Sequence, residues 1–570
     1  MKQLRQMSIL VRGAQLLLLV LALFLVVWLV PDAGKKHASG TEASEAETDG
    51  GDVAENEKNR AAGNLEEDES SAGEVIQDDA DENASDGETA LKRRKQLYKR
   101  KKEPQKAQEE TVYMPPTIWL ATDLHYQSPQ MTDFQSAFDT YTMGNDGTIV
   151  PYLDEITEAF LEEVRTAHPS ALVLSGDLSQ NGEKANHEAL AEKLERVQAA
   201  GIPVLVIPGN HDINHPWAAT YFDDQVSPAE GTSSEEFYQI YHKFGYDQAV
   251  SRASDSLSYV YRLDEKYWLM MLDSCMCEPV HETGGKLSEE TVAWMKTQLE
   301  EAKKQGVTVI PVSHHNLLDE STLYPEECTI ENTKEVTALL EAYGVPVYLS
   351  GHLHLQRIKK HTSNLNTPGG YGIREIVTSP LPMAPCQYSI LNWQTDGSLS
   401  YHTKKVDIAG WAQRYGEEDE NLLNFDAYAD QFLVDVISKQ AFKALQSASK
   451  DIKEEMARLY ADMNRDYCSG TKIDVAKIRK SEAYQYWIRY SGNDFWLARL
   501  QAILHDARTD NTVLELKAGV DFPLPGETIE NPENAEKEET VGADAGSPAE
   551  EIQKKEESYG LRGNCIQTAE

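Results

Sequence analysis

Cysteine is scarce, with six in 570 residues. That is too few for a disulfide scaffold, even outside a reducing compartment. Cys275 and Cys277, two apart on an expected strand, read as buried thiols rather than as metal ligands. Positive charge is also short: 54 Lys and Arg stand against 94 Asp and Glu, for a formal net charge of -40. Such a balance repels a phosphate backbone, so no nucleic acid polymer is expected as a partner. No internal repeat is visible.

Long apolar runs are equally rare. The one that stands out, residues 16–30, is unbroken and follows Lys2, Arg5 and Arg12. With residues 9–15 as its first turns it has the length a bilayer needs. The residues after it, Pro31, Asp32, Ala33, Gly34 and Lys35, lack the small-x-small pattern of a cleavage site, so residues 1–30 read as an uncleaved anchor. Lys35 and Lys36 put positive charge on the far side too. Three positive charges before the run and a strongly acidic segment after it still favour the N-terminus inside and the bulk of the chain outside. The expectation is a single-pass cell-membrane protein with an extracytoplasmic body.

Residues 42–88 hold eighteen Asp and Glu, two Lys and Arg, and almost no large apolar side chains. Ordering such a segment costs more than burial returns, so it reads as a disordered spacer. A cationic block follows, from Lys92, Arg93, Arg94 and Lys95 to Lys99, Arg100, Lys101 and Lys102. It reads as a solvated linker, with contact to anionic headgroups or wall polymer as the alternative. The division that results is an anchor over 1–30, a linker over 31–112, a folded domain over 113–406, a helical domain over 407–518 and a disordered acidic tail over 519–570.

From Thr117 short apolar runs alternate with amphipathic segments, which is an α/β pattern. Strands are expected at 118–121, 172–174, 204–207, 307–312 and 345–349, with a hairpin over 257–263 and 267–272. Helices are expected around Ile156 to Val164, Leu190 to Val197, Val292 to Leu299 (capped by Ser288) and Val336 to Tyr343. Antiparallel strands are added near Ile376 and at 388–393. Beyond Asp407 the strands stop, and 422–505 is helical, with Tyr428, Phe432 and Val436 on one stripe and Trp496, Leu500 and Leu504 on another.

Five of the expected strands end in metal-ligand residue types: Asp123 and His125; Gly176 and Asp177; Gly209, Asn210, His211 and Asp212; His314 and His315; Gly351, His352 and His354. Open α/β sheets place their sites at such ends. Each pair alone is weak, since a capped turn produces the same residues. Five together imply a shared centre. Hard oxygen donors mixed with imidazole, and no thiolate, suit divalent or trivalent transition-metal ions, namely Mn, Fe or Zn. The donors outnumber what one ion takes, so two ions bridged by one carboxylate is the economical arrangement.

In order, these motifs resemble those of the calcineurin-like metallophosphoesterase superfamily. Over 117–406 the chain is most similar to the bacterial class III cyclic nucleotide phosphodiesterases. The resemblance implies a four-layer sandwich, two central mixed β-sheets flanked by helices, here carrying an N-terminal transmembrane helix and a C-terminal helical appendage. It also implies that Asp123, His125 and His354 hold one ion, that Asp177 bridges, and that Asn210, His314 and His352 hold the second. His211 would face the substrate phosphate, oriented by Asp212. Either His314 or His315 fits the ligand position; His314 is preferred.

The expected activity is hydrolysis of a phosphate ester, a phosphodiester such as a cyclic nucleotide, by a hydroxide held between the ions, with His211 protonating the departing oxygen. A cell-envelope phosphatase or lipid headgroup phosphoesterase is the rival enzyme, and a membrane-tethered binding scaffold the rival outside enzymes. The substrate is thus a small-molecule or envelope phosphoester; the sequence leaves the oligomeric state open. Residues 126–152 and 213–256 read as loops beside the site, whose Tyr126, Tyr152, Trp217, Tyr221 and Phe222 either stack a base or pack.

Protease added to spheroplasts is expected to cut the protein within the acidic spacer. Protection until lysis would reverse the topology.

Overall fold

The structure, a computed structural model, describes residues 113–144, 146–319, 327–361, 371–445, 447–491 and 494–523. The expected anchor, the spacer and the cationic block lie outside the described residues. Among the described residues no helix is long and apolar enough to cross a membrane.

The chain enters on β1 (Thr117–Ala121) and continues through α1 (Ser136–Gly144), α2 (Leu153–Ala167), β2 (Ala171–Ser175), α3 (Lys184–Ala199) and β3 (Val204–Ile207). There follow β4 (Ala219–Phe222), β5 (Gln225–Pro228), α4 (Ser234–Tyr241), β6 (Ser251–Arg252), β7 (Tyr259–Arg262), β8 (Tyr267–Leu272), β9 (Cys275–Met276) and β10 (Glu282–Gly285). Next are α5 (Glu289–Gln305), β11 (Thr308–Ser313), α6 (Thr333–Ala342), β12 (Val347–Ser350), β13 (Arg357–Lys360), β14 (Arg374–Val377), β15 (Gln387–Trp393) and β16 (Leu399–Lys405). Helices α7 (Ile408–Tyr415), α8 (Glu420–Leu423), α9 (Phe425–Ala444), α10 (Lys450–Cys468), α11 (Val475–Lys480), α12 (Glu482–Tyr490) and α13 (Asp494–Asp506) precede β17 (Val513–Leu516).

Two mixed sheets organise the fold. The first has the order β17-β16-β15-β1-β2-β3, with β1, β2 and β3 parallel and β15 to β17 antiparallel. The second has the order β13-β14-β12-β11-β8-β7-β6, with β8, β11, β12 and β14 parallel. Side chains of a strand alternate between faces, and the second sheet shows both faces buried. Leu269, Met271, Ile310, Val312, Val347 and Leu349 join the first sheet in one core, whereas Trp268, Met270, Leu272, Val309 and Tyr348 pack with Met295, Leu299, Val336 and Leu340 of α5 and α6. Ser288 caps α5, its hydroxyl accepting from the Thr291 amide.

Several expectations need correction. β14 is antiparallel to β13 but parallel to β12. The strands do not stop at Asp407, because β17 returns to pair with β16. Val513, Leu514 and Leu516 make a run too short to separate from a turn by pattern. Residues 519–523 are not tail: Asp521 pairs with Arg374 at 2.8 Å and Phe522 is buried. The supposed loops carry α1, α4 and the β4–β5 hairpin. On α9 the buried stripe runs through Ala429, Leu433, Val436 and Ile437, with Tyr428 and Phe432 only packed against it. Cys275 and Cys277 are free thiols, the second of them buried.

A side chain also ties one sheet to the other: the buried Tyr259 hydroxyl of β7 donates to the Val206 carbonyl of β3 at 3.0 Å. Tyr259→Phe should lower unfolding stability by about 1 kcal/mol with no change in fold. An unchanged denaturant midpoint would show that the bond contributes nothing net.

Candidate metal centre

All five candidate clusters sit just past the C-terminal ends of parallel strands: β1, β2 and β3 in one sheet, β11 and β12 in the other. The loops continue the ladder after the strands proper end. Asp123 N donates to Gly176 O, His125 N to Asp177 O, and Gly351 N to His314 O, at 3.0–3.1 Å. These backbone bonds align the loops within each sheet, and the His352 amide, donating to the Asp123 carboxylate at 3.0 Å, joins the two sets across the cleft.

Asp123, His125, Asp177 and His354 offer ligand atoms all within 4.8 Å of one another, and so do Asp177, His314 and His352. Asp177 belongs to both groups. Its Oδ2 lies 3.7 Å from His125 Nε2 and 3.2 Å from His314 Nε2. Asn210 joins the second group, its Oδ1 being 3.1 Å from His314 Nε2.

The imidazoles are set in position from behind. A carbonyl only accepts, so His314 Nδ1–H donates to Ser175 O at 2.9 Å, which turns Nε2 toward Asp177, Asn210 and His352. His352 Nε2 contacts the Glu327 carbonyl, and His354 Nδ1 bonds the Asp146 carboxylate. The inward nitrogens then face one another: His125 Nε2 and His354 Nε2 at 3.1 Å, His314 Nε2 and His352 Nδ1 at 3.2 Å. Inward-facing imidazole nitrogens with carboxylates between them, once deprotonated, fit cations of the expected class.

Electrostatics follow the same layout. Against the effect of burial, Asp177 raises the His314 imidazole to about 9, and Asp146 and Asp123 raise that of His354. Burial together with the neighbouring His315 and His314 pushes His352 well below its ordinary value. The Asp177 carboxyl stays well below the carboxylate range despite its burial, held there by His314 and His211.

Backbone geometry marks the same residues. Asp123, His125, Asp177, His352 and His354 all have φ between 43° and 66°, the left-handed region that L side chains avoid. Close approach explains the glycines among them. A Cβ on Gly209 would lie 2.2 Å from Asp177 N, and one on Gly351 would lie 2.0 Å from the Thr122 hydroxyl.

His315 turns away: Nδ1 meets Ser274 Oγ and Nε2 meets Thr283 O, each at 2.9 Å. His211 lies outside both ligand groups. Its amide donates to Asp177 Oδ1 at 2.8 Å and its Nδ1 is held by Gln180 O at 3.0 Å. Asp212 does not orient that ring. Its buried carboxylate accepts from the amides of Gly209, Leu178 and Ser179 and from the Ser179 hydroxyl, which braces the β2 and β3 loops together. A side chain next to His211 in sequence points to the opposite side of the loop, so the ring falls to Gln180 and Asn181 instead.

Four contributors escape a reading from motifs. Asp146 supports His354, and its only signal is the Gly144-Asn145-Asp146-Gly147 turn run. Glu375, a buried charge inside a strand, accepts from the amides of Leu317 and Leu318 and the Ser350 hydroxyl, tying the β11 and β12 loops. His215 stacks on His211 at 4.6 Å between ring centroids, and His281 stands edge-on to His215 at 4.7 Å. Of the five loop aromatics, Trp217 alone meets this imidazole stack, 5.4 Å from His215 and 58% exposed. Tyr126 is buried on Asp154, Tyr152 packs on Tyr428, Tyr221 packs on Phe138 and Tyr141, and Phe222 is exposed on the β4–β5 hairpin.

Comparison with known proteins covers both parts of the described chain. Residues 116–356 match the calcineurin-like phosphoesterase family model, and residues 407–510 match that of the C-terminal domain of cyclic nucleotide phosphodiesterase. A 3',5'-cyclic adenosine monophosphate phosphodiesterase of Escherichia coli is 24% identical over 203 residues, 35% of this chain and 60% of that protein. A probable cyclic nucleotide phosphodiesterase of Xenorhabdus bovienii is 19% identical over 192 residues, 34% of this chain and 64% of that one. The chain thus spans less than two thirds of the length of these curated relatives. Among solved structures, a dimetal phosphatase from Danio rerio is 14% identical, covering 51% of this chain and 97% of its own, with a TM-score of 0.38. Residues 116–356 are a calcineurin-like phosphoesterase domain of α/β architecture, joined in one chain to a C-terminal domain of the cyclic nucleotide phosphodiesterase type.

Proposed function

We propose that this protein is a metal-dependent phosphoester hydrolase acting on a nucleoside phosphodiester, with a cyclic nucleotide as the leading candidate. The observation that carries the reading is the pair of ligand groups sharing Asp177. On this reading Asp123, His125 and His354 would hold one transition-metal ion, Asn210, His314 and His352 would hold the other, and Asp177 would serve both. Two such ions supply an activated water and neutralise charge on the phosphate oxygens.

The remaining chemistry belongs to side chains. With Nδ1 fixed on the Gln180 carbonyl, His211 directs Nε2 at the substrate and hands a proton to the departing oxygen. Its stack on His215 keeps the ring from turning. Trp217 offers an exposed aromatic face on the same wall, suited to stacking a base. The names of the curated relatives and the match of residues 407–510 support the cyclic nucleotide reading. Location outside the membrane is proposed on the sequence of residues 1–112 alone.

The test uses the full-length protein loaded with Mn. Asp177→Ala is expected to lose both ions and activity, because without the shared carboxylate two cations repel across a gap; two retained ions with normal turnover would sink the two-metal reading. His211→Ala should keep its metal. It should cost an alkyl or nucleoside leaving group roughly 100-fold or more and a nitrophenolate much less, since only the alkoxide needs the proton. Equal losses on both would assign His211 to charge stabilisation, and loss of an ion would make it a ligand.

A further inference from the structure

The C-terminal helical region lies against the back of the centre. His354 is followed two residues later by Gln356, whose amide donates to the Cys468 carbonyl at the end of α10, at 2.9 Å. The buried Gln356 side chain donates to the Asn511 carbonyl at 3.0 Å, and Asn511 Oδ1 accepts from the Ile358 amide at 3.1 Å. Contact is tight enough that a Cβ on Gly470 would come within 2.6 Å of Gln356 Cγ. The other support of His354 is backed in the same way. Asp146 bonds His354 Nδ1, and a Cβ on its neighbour Gly147 would sit 3.1 Å from Leu433 Cγ of α9. Both segments that fix the His354 ring therefore rest on residues from beyond position 430.

We propose that this region is a positioning element of the metal centre, with Asn511 and Leu433 as positioning residues that hold His354 in register for its ion. The inference rests on the two-ion reading and goes beyond it by giving the helical region a task. His354 stands at a left-handed backbone position, φ 52°, a conformation that persists only where the surroundings hold it, and the pinned chain that follows it is one such support. Loss of a group that orients a ligand from behind weakens metal binding without removing any donor.

The experiment titrates the full-length, metal-stripped protein with Mn2+ alone, following heat and bound metal, and records the thermal midpoint of each metal-free variant. Asn511→Ala should weaken the ion shared with His354 by roughly 10-fold or more and leave the other nearly unchanged. Asn511→Asp, which keeps the acceptor for Ile358, should restore much of that loss. Leu433→Ala tests the second contact and should act in the same direction, so the proposal stays testable if Asn511→Ala is insoluble. Trp487→Phe is the control: it removes the bond from the buried Trp487 to Met456 O within the helical core and touches neither the Asn511–Ile358 bond nor the Leu433–Gly147 contact. Parent-like Mn2+ binding by Asn511→Ala and Leu433→Ala would overturn the inference. An equal loss of affinity in Trp487→Phe at an equal fall in midpoint would overturn it too, by making the effect general instability. Fewer than two ions on the parent would instead refute the two-ion reading, and this inference with it.

Discussion

Everything at the centre depends on one carboxylate. Asp177 stands at the C-terminal edge of the first sheet, and the imidazole that reaches it at 3.2 Å, His314, stands at the edge of the second. Each ligand group draws on both sheets, the first through His354 and the second through Asp177. The shared core of Leu269, Met271, Ile310 and Val312 against Ile118, Leu120 and Val173 sets the distance between the two edges, and burial of apolar side chains on this scale fixes it firmly. The sandwich is the device that holds opposed donors a few ångströms apart.

That placement is bought with backbone strain. Five of the seven proposed ligands occupy left-handed φ values, which costs about 1–3 kcal/mol for each such residue. Asp and His tolerate this region better than most side chains, and no β-branched residue is among the five. The return is that successive ligands in Asp-x-His and His-x-His turn toward the cleft, where an extended strand would send side chains i and i+2 along one face with a fixed rise between them. Strain of this kind persists only where the surroundings over-determine it. Here the inter-loop bonds from Asp123, His125 and Gly351 and the buried carboxylates of Asp212 and Glu375 do so.

The sequence made the strand ends legible because each ligand cluster follows its own apolar run, and local pattern is enough to find both. It also carried the order of the parallel strands and the helices between them, whose periodicity is strong. What it did not carry are partners chosen by topology. Asp212 is adjacent to His211 in the chain, yet its side chain serves Gly209, Leu178 and Ser179. His215 and His281 are sixty-odd residues apart and meet edge to edge only because two loops fold over the same cleft. Asp146 lies in a turn whose composition explains it fully without His354. A residue whose local environment already accounts for it gives no sign of a distant task.

The C-terminal segment shows the same limit on a larger scale. Read locally, residues beyond 407 are helices followed by an acidic tail, and helices need no sheet. In the fold β17 adds the outermost strand beside β16, covering part of an edge that would otherwise present unpaired backbone groups. Asp521 then reaches across to Arg374 of β14 in the other sheet. The last described residues thus bond to both sheets, and Asn511 meets the strand that follows His354. A region that reads as an appendage is in physical terms a brace between the sheets whose separation the Asp177 site requires.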